Sequence, residues 1–329
     1  MKGLLEIFAA AQDSNGYLTL WPRQWAIWTR PQRLAKCMRG NAEAHELIAL
    51  GSLAAVLELL AGAPGEWTPI AGGTEIMVAH AAGRLREKRL VNLWGLSELR
   101  FIKSGGDSVA IGAGATFRDL RAHTGVQNGA PLLAKAAAWI GSIANQSRAT
   151  IGGNLVNGSP AADSSPALLV YDAEIELVSV RGRRRIPYSE FHTGYKRNAM
   201  APDELLLAVH LPLRFARHRQ YLRKVGTRRA MAISKVALAA TALLEDGVVG
   251  EIRVAAASLA PFPSRLYQAE KVLLGKSIDS RTIEFAREAI MAEAKPIDDM
   301  RSTAEYRKRV AANLIEEFLH ELRPEGSPN

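Results

Sequence analysis

Two glycine-rich stretches contain the residues of this chain that are best suited to hold a ligand. The longer is residues 148–169, RATIGGNLVNGSPAADSSPALL, and the shorter is residues 69–78, PIAGGTEIMV. Paired glycines let backbone N–H groups turn toward one point and let a ligand approach the chain closely, so that a pyrophosphate can be held without lysines. Two such turns, each followed by a polar residue that can bond a sugar hydroxyl, predict a ligand with a diphosphate in its middle, such as a dinucleotide.

Neither stretch is specific on its own, because Gly-Gly turns between strands are common and the longer one could be an ordinary Gly/Ser surface loop. Its composition also predicts that residues 148–169 form neither helix nor strand. A third glycine pair, Gly112 and Gly114, follows a predicted strand as in a Rossmann fold. Phe117 occupies the third glycine position, however, and no suitably placed acidic residue follows, so this pattern favours a strand and a helix capped by Thr116.

Regular elements are predicted on both sides of these turns. Ser52 and the apolar spacing after it predict a helix over residues 52–61, and an alanine-rich helix over residues 132–143 leads into the longer stretch. The other predicted strands cover residues 67–70, 89–93, 174–180, 204–213, 236–244 and 252–257, and the other helices cover residues 267–274, 281–291 and 303–322. Such mixed content indicates a protein that contains both helices and sheets.

Composition limits the possible functions. The 329 residues are 48% hydrophobic and 23% charged, which is ordinary for a globular protein with two or three compact units. The single cysteine, Cys37, excludes a disulfide framework and any iron–sulfur or zinc site ligated by cysteines of this chain alone. The seven histidines form no metal-binding pair, so no metal site is predicted. Residues 4–11 are too short for a secretory core and no membrane span is recognised, so we expect a cytoplasmic protein.

The net charge of +9 does not indicate a nucleic-acid-binding protein. Four of these charges belong to the first 40 residues, which leaves a mild excess on the rest of the chain. The one dense basic run, RGRRR at residues 181–185, follows a predicted strand and is interpreted as a hairpin turn. A positive surface could instead help to dock an acidic partner subunit.

Five motifs together resemble a known family. They are AGGTE at residues 71–75, TIGGNLVNGSPAAD at 150–163, HTGYKRNAMAPDELL at 192–206, RKVGTRRAMAISKVALA at 223–239 and ASLAPFPSRLYQAEKVLLGK at 257–276. Their order resembles that in the FAD-binding (medium) subunit of the molybdenum hydroxylases, the xanthine dehydrogenase and aerobic carbon monoxide dehydrogenase family. The resemblance covers residues 46–321. It implies an α+β fold with a two-lobed FAD-binding domain of the vanillyl-alcohol oxidase/PCMH-like type, followed by a smaller α/β C-terminal domain.

The resemblance also implies domain bounds. It places the FAD-binding domain at residues 46–220, its lobes at about 46–105 and 106–220, and the C-terminal domain at 223–325. Residues 1–45 contain Trp21, Trp25 and Trp28 without any sustained period of 2 or 3.6, and we predict a poorly ordered extension that does not belong to the family. Met38 is a candidate for the natural start.

By this resemblance the cofactor is FAD. The implied FAD contacts are Ile70, Ala71, Gly72, Gly73, Thr74, Glu75, Ile140, Thr150, Gly152, Gly153, Asn154, Asp163, Leu206 and Lys235. Within this set, Thr150 to Asn154 would supply a backbone cradle for the diphosphate. Asp163 should face hydroxyl or N–H donors, because a carboxylate cannot serve the phosphates. Tyr195 is placed on the side where an electron acceptor would approach.

Three of the implied contacts concern the flavin ring. Ile140 is placed against one face of the isoalloxazine and Leu206 packs on it, while Lys235 faces the flavin as a fixed cation that would stabilise its reduced form. From the residues alone, Ile140 could equally be a core residue. Lys235 could be a surface lysine, although it lies in an apolar run where an ionisable group is unusual.

The resemblance implies an FAD-dependent oxidoreductase subunit that is catalytic only within a molybdenum hydroxylase complex. Its flavin would take electrons from iron–sulfur clusters on a small partner subunit and pass them to NAD or another acceptor, with the molybdenum cofactor on a large partner subunit. No side chain of this chain is assigned a catalytic role, and no nucleic acid is expected as a partner. A stand-alone FAD-dependent oxidase or dehydrogenase and a non-catalytic nucleotide-binding module are the alternatives.

Overall fold

The computed structural model describes residues 44–228 and 230–323. The predicted N-terminal extension, residues 1–45, lies outside the described residues except for its last two. The described chain divides into two units, one with residues 75–86 and one with residues 45–74 and the chain from residue 87 onward. None of the described helices combines the length and apolar character needed to cross a membrane.

The first sheet of the larger unit is parallel. It contains β1 (Glu46–Ala49), β2 (Trp67–Ile70) and β3 (Arg89–Asn92), with β3 in the centre. Helix α1 (Leu53–Gly62) begins after Ser52, as predicted, because the Ser52 side chain accepts a hydrogen bond from the N–H of Ala55. Val56 and Leu60 lie on the inner face of α1 and are buried in a hydrophobic core. The three strands run in the same direction, so they present their carboxyl ends at one edge.

The smaller unit contains helix α2 (Ile76–Ala81). Glu75 precedes α2 at its N-cap position, and its carbonyl accepts a hydrogen bond of 3.0 Å from the N–H of Ala79. Glu75 therefore starts this helix through its backbone.

A second sheet follows, and seven α-helices lie between or beside its strands in the sequence of the described chain. The elements are β4 (Ile102–Gly105), β5 (Ser108–Gly112), α3 (Phe117–Ala122), α4 (Thr124–Gly129), α5 (Pro131–Ala137), α6 (Ile143–Gln146), α7 (Ile151–Asn157), α8 (Ser165–Val170), β6 (Glu174–Ser179), β7 (Gly182–Pro187), α9 (Tyr188–Phe191), β8 (His192–Gly194), β9 (Arg197–Asn198) and β10 (Leu205–Pro212). The sheet is antiparallel in the order β4-β5-β10-β6-β7, and β8 pairs with β9 alone. Both faces of β10 are buried, since Leu206 joins one core cluster and Leu207 another.

The last part of the chain is an antiparallel sheet covered by helices. It contains β11 (Arg219–Val225), β12 (Val236–Glu245), β13 (Val248–Ala257), β14 (Ser264–Arg265), α10 (Tyr267–Leu273), α11 (Ser280–Glu293) and α12 (Ala304–Leu322). Alternate residues of β12, such as Leu238 and Ala240, pack in one core with the helices, whereas Ala239 on the other face packs in the main core. The small side chains of β12 therefore allow both faces of this strand to be covered.

Three local predictions are wrong. Residues 148–169 do contain helices, α7 and α8, because Thr150 caps the first and Pro166 fits the first turn of the second. The alanine-rich helix predicted over residues 132–143 ends at Ala137, and Gly141, with φ of +51°, separates it from α6. The arginines predicted in a hairpin turn lie mostly on strand β7, which begins at Gly182.

Candidate functional site

The shorter glycine turn extends from the carboxyl end of β2. Ile70 is the last residue of the strand, and Ala71 to Thr74 form the turn, with Gly73 in the left-handed region at φ of +74°. Within the described part of the chain, no group accepts a hydrogen bond from the backbone N–H groups of residues 71–74. Ligands of open parallel sheets bind beyond the carboxyl ends of the strands, and clustered free N–H groups bind anions. This turn can therefore hold a phosphate.

Gly72 joins the two glycine-rich stretches. A Cβ built on Gly72 would lie 1.7 Å from the carbonyl oxygen of Arg148 and 3.2 Å from the backbone nitrogen of Ala149. Any other residue would push the two backbones apart, because real Cβ atoms do not approach carbonyl oxygens to this distance. The two stretches, distant in sequence, are therefore neighbours in the fold.

In the longer stretch, the backbone N–H groups of residues 151–153 donate hydrogen bonds to other groups of the protein. The Thr150 side chain accepts from the N–H of Gly153 at 3.1 Å, and the N–H groups of Ile151 and Gly152 donate at 2.9 Å to carbonyls of residues 115 and 113. Asn154 accepts a hydrogen bond from the Ser164 hydroxyl. The diphosphate cradle expected from Thr150 to Asn154 stays a prediction, and residues 71–74 are the better supported phosphate site.

The two glycines of α7 have different surroundings. A Cβ on Gly152 would meet the Cβ of Ala113 at 2.6 Å, so this glycine allows α7 to pack closely on the residue after β5. Gly153 is exposed, and apart from the backbone of its own helix the described atom within 4 Å of a Cβ there is the Thr150 hydroxyl, at 3.1 Å. Gly153 thus leaves an open surface that a ligand can approach.

Asp163 lies in a buried polar cluster that the sequence did not predict. Its carboxylate accepts hydrogen bonds from the ammonium of Lys224 at 2.5 Å and from the hydroxyl of Ser234. Burial raises the pKa of Asp163 above its usual value, and Lys224 and Ser234 oppose this shift. The expectation that Asp163 faces hydroxyl and N–H donors is met by side chains of the protein itself, while its contact with FAD stays a prediction.

The sequence motifs did not predict a buried role for Lys224, although the alternation of residues along the strand could have indicated it. Leu222 and Lys224 share one face of β11, and Leu222 packs in the main core, so the lysine points inward as well. Its ammonium also donates to the carbonyl of Trp139 at 3.3 Å. Trp139 precedes Ile140, so Lys224 connects the neighbourhoods of two predicted FAD contacts, Ile140 and Asp163.

The backbone of Lys235 lies next to the cluster of Asp163, Lys224 and Ser234, whereas its side chain contacts Tyr306. Its N–H donates at 2.8 Å to the carbonyl of Val225, next to Lys224. Its ammonium lies 4.9 Å from the ring centroid of Tyr306, in the first turn of α12. The lysine is half-buried, so the alternative of a fully solvated surface lysine is not what the fold shows.

The remaining predicted contacts occupy different environments. Ile140 is half-buried against the main core, and Leu206 is fully inside it. Tyr195 is 64% exposed in the turn between β8 and β9. The next residue, Lys196, lies against Gly158 at the end of α7, because a Cβ on Gly158 would be 3.3 Å from its Cα. The fold thus brings the Tyr195 turn to α7 and does not expose Leu206.

The described residues fit FAD in two respects. Free N–H donors at residues 71–74 suit a diphosphate, and the open backbone at Gly153 allows a flat or extended ligand to approach α7. No group of three or more His, Cys, Asp or Glu side chains in the described chain is arranged to hold a metal ion. These backbone features can hold an organic cofactor such as FAD.

Comparison with known families agrees with this arrangement. Residues 43–214 match the family model described as the FAD binding domain in molybdopterin dehydrogenase, and residues 221–322 match that of the CO dehydrogenase flavoprotein C-terminal domain. These matches follow each other along the chain in the order that the sequence motifs predicted.

Individual relatives give the same result. The xanthine dehydrogenase FAD-binding subunit of Escherichia coli O157:H7 is 32% identical over 272 residues, which cover 82% of this chain and 93% of that protein. The carbon monoxide dehydrogenase medium chain of Hydrogenophaga pseudoflava is 27% identical over 251 residues, 76% of this chain and 87% of that one. A solved carbon monoxide dehydrogenase structure from the same organism superposes with a TM-score of 0.80 at 27% identity, over 83% of this chain and 95% of that chain. The family and fold predictions are therefore confirmed: this chain belongs to the flavoprotein subunits of the molybdenum hydroxylases and is an FAD-binding oxidoreductase component.

Proposed function

We propose that this chain is the electron-transfer subunit of a molybdenum hydroxylase complex of the xanthine dehydrogenase type. Iron–sulfur clusters on a small partner subunit deliver electrons, the molybdenum cofactor resides on a large partner subunit, and NAD or another acceptor receives the electrons. The observation that carries this proposal is the succession of the two matching domains in this chain, together with its similarity to relatives named as a FAD-binding subunit and a medium chain.

The chain's own residues bind and orient the cofactor. FAD, when bound, supplies the redox chemistry. The free N–H groups of residues 71–74 hold its diphosphate, and the Asp163 carboxylate, oriented by Lys224, faces its polar edge. The half-buried Ile140 is the apolar contact of the ring, and the exposed Tyr195 is on the acceptor side. Glu75, in the smaller unit, and Leu206, in the core, keep their predicted roles as proposals only.

Lys235 is proposed to act as the cation near the flavin. Its support is its position: Lys235 follows the buried Lys224 by eleven residues, and its backbone N–H returns to the carbonyl of Val225. The ring of Tyr306 holds its ammonium at 4.9 Å without neutralising the charge. A fixed positive charge beside the flavin would favour the reduced form.

The cysteine count supports the proposal that partner chains hold the iron–sulfur clusters. Iron–sulfur clusters are held by several cysteine thiolates, and this chain has one cysteine, Cys37. The clusters of the proposed complex must therefore be ligated by another polypeptide. We propose the cytoplasm as the place where the complex works.

The test is to purify the tagged full chain from cells that produce it naturally and to analyse what accompanies it. We expect FAD in this chain, molybdenum in a larger partner, and iron with acid-labile sulfide in a smaller one. The complex should reduce its flavin when given a substrate of the large subunit, and candidate acceptors, NAD included, should reoxidise it. A chain that purifies alone and oxidises an organic substrate would contradict the proposal in favour of a stand-alone flavoenzyme. A chain without FAD would favour a nucleotide-binding module.

A further inference from the structure

Arg148 is a guanidinium held in place beside the shorter glycine turn. Its Cζ lies 3.8 Å from the ring centroid of Trp94, which is the distance of a stacked pair. Stacking on a ring fixes the plane of the guanidinium while leaving its N–H groups free to bond. The backbone of Trp94 is itself anchored, since its N–H donates at 2.9 Å to the side chain of Asn92.

The sheet register places this stacked pair next to the turn. Ile70 at the end of β2 is paired with Asn92 at the end of β3. Gly72 and Trp94 each lie two residues beyond these partners, so they extend from the same edge of the parallel sheet. The Arg148 carbonyl meets Gly72 directly. Arg148 therefore contacts the turn through its backbone and the neighbouring strand end through its side chain.

Arg148 also has an uncompensated charge. No acidic side chain in the described part of the chain forms an ion pair with it, and the residue is exposed. Arg100 shares the same tryptophan, with its Cζ 4.9 Å from the ring centroid, but it lies 3.8 Å from the carboxylate of Asp119. Of these two arginines, only Arg148 combines a fixed plane with a charge that still lacks a partner.

We propose that Arg148 is a cofactor-binding residue whose guanidinium bonds the diphosphate of FAD at the 71–74 turn. The inference rests on the proposed placement of the diphosphate at these free N–H groups. Neutral N–H donors orient a phosphate but leave its charge uncompensated, and a planar guanidinium supplies both charge and paired donors. Arg148 thereby adds selectivity for ligands that contain phosphate.

The experiment compares Arg148→Gln with Arg100→Gln in the full chain after removal of FAD. FAD affinity is measured at low and high salt, and ADP and adenosine are used as competitors with and without phosphate. We expect Arg148→Gln to weaken FAD and ADP binding about tenfold and to flatten the salt dependence, with adenosine unaffected. Arg100→Gln should stay within about twofold of the parent protein, because its charge is already paired. Arg148→Lys is measured too and should keep part of the salt dependence.

The variant Gly73→Val tests separately whether the diphosphate binds at residues 71–74, which the proposed role of Arg148 assumes. A valine at a φ of +74° is strained, so this variant should lose FAD if the diphosphate binds at the turn. If Gly73→Val loses FAD while Arg148→Gln does not weaken it, the role of Arg148 is overturned and the turn remains the site. If both arginine variants weaken FAD equally, or adenosine binding falls with ADP binding, a specific phosphate contact is overturned. If neither Gly73→Val nor Arg148→Gln changes FAD affinity, the diphosphate binds elsewhere and both ideas fail.

Discussion

The ammonium of Lys224 and the carboxylate of Asp163 form a buried ion pair between β11 and the segment that follows α7. Each side chain is only 9% exposed, and the Ser234 hydroxyl supplies a further donor to the carboxylate. A buried charge is tolerated when it is paired and hydrogen-bonded, and it is costly when one partner is removed. The pair therefore ties the C-terminal sheet to the predicted FAD site.

Replacing Lys224 should destabilise the protein strongly. In Lys224→Met the Asp163 carboxylate stays buried without its cation, and we expect the free energy of unfolding to fall by about 3 kcal/mol near neutral pH. The measurement is urea unfolding of the FAD-free chain. Lys235→Met is the matched control and should lose less than about 1 kcal/mol, because the contact of its ammonium in the described chain is with a half-exposed aromatic ring. Equal losses in the two variants would contradict the special position of Lys224.

The same variant should change the pH dependence of stability. Burial already raises the pKa of Asp163, and loss of Lys224 removes an effect that lowers it. A carboxyl group with a raised pKa in the folded state stabilises below its unfolded pKa, and this stability is lost as pH rises through the folded pKa. Lys224→Met should therefore lose stability from acidic to neutral pH more steeply than the parent, in unfolding measured between about pH 4 and 8. Parallel curves of stability against pH for the parent and Lys224→Met would contradict the coupling between Lys224 and Asp163.

His192 should make the protein less stable in acid. Burial lowers its pKa to about 4, and its ring bonds the hydroxyl of Tyr188 at 3.1 Å. The unfolded chain therefore takes up a proton at a higher pH than the folded chain, and stability falls as pH drops from about 6.5 toward 4. His192→Gln should reduce this slope in thermal unfolding, whereas Tyr188→Phe, which keeps the titrating ring, should retain it. A His192→Gln slope equal to that of the parent would show that other groups cause it.

The basic run should support the sheet rather than bind nucleic acid. Arg184 makes two hydrogen bonds of 2.7 Å to the buried Glu204 and lowers its pKa, whereas the nearest carboxylate contacts of Arg185 are 3.7 and 3.8 Å. We expect Arg184→Gln to cost about 1 kcal/mol at neutral pH, and Arg185→Gln less than about 0.5 kcal/mol. The cost of Arg184→Gln should shrink as pH falls and Glu204 is protonated. Unchanged stability in both variants, together with reduced retention on a nucleic-acid column, would contradict this interpretation.

The shorter turn can be tested by adding a single methyl group. Gly72→Ala would place a Cβ against the Arg148 carbonyl, so we expect a loss of at least about 2 kcal/mol of stability and much weaker FAD binding. Gly62→Ala is the matched control, since no described atom outside its own helix lies within 4 Å of a Cβ there, and it should be neutral or slightly stabilising. Denaturant unfolding and FAD titration measure both effects. Normal FAD binding by Gly72→Ala would mean that the contact between the two stretches does not shape the site.

Features that depend on neighbouring residues could be predicted from the sequence. Ser52 and Thr116 cap their helices as expected, because a side chain and an N–H three residues later are brought together by the first helical turn itself. The AGGTE turn was found for the same reason, since glycine pairs change the backbone locally. Thr150 was a capping signal of the same kind, and the glycines after it concealed the short helix that it starts.

The sequence by itself determined the family, the cofactor class and most strands and helices of this chain, because ordered motifs and periodic apolar residues are local records of the fold. The tertiary structure decided which backbone donors are free. The N–H groups of residues 151 and 152 are used by carbonyls of distant residues, whereas those of residues 71–74 find no acceptor among residues 44–228 and 230–323. It also placed Lys224 beside Asp163 and Arg148 beside Gly72. These pairings join residues far apart in the chain, so they depend on strand register and packing, which no local pattern encodes.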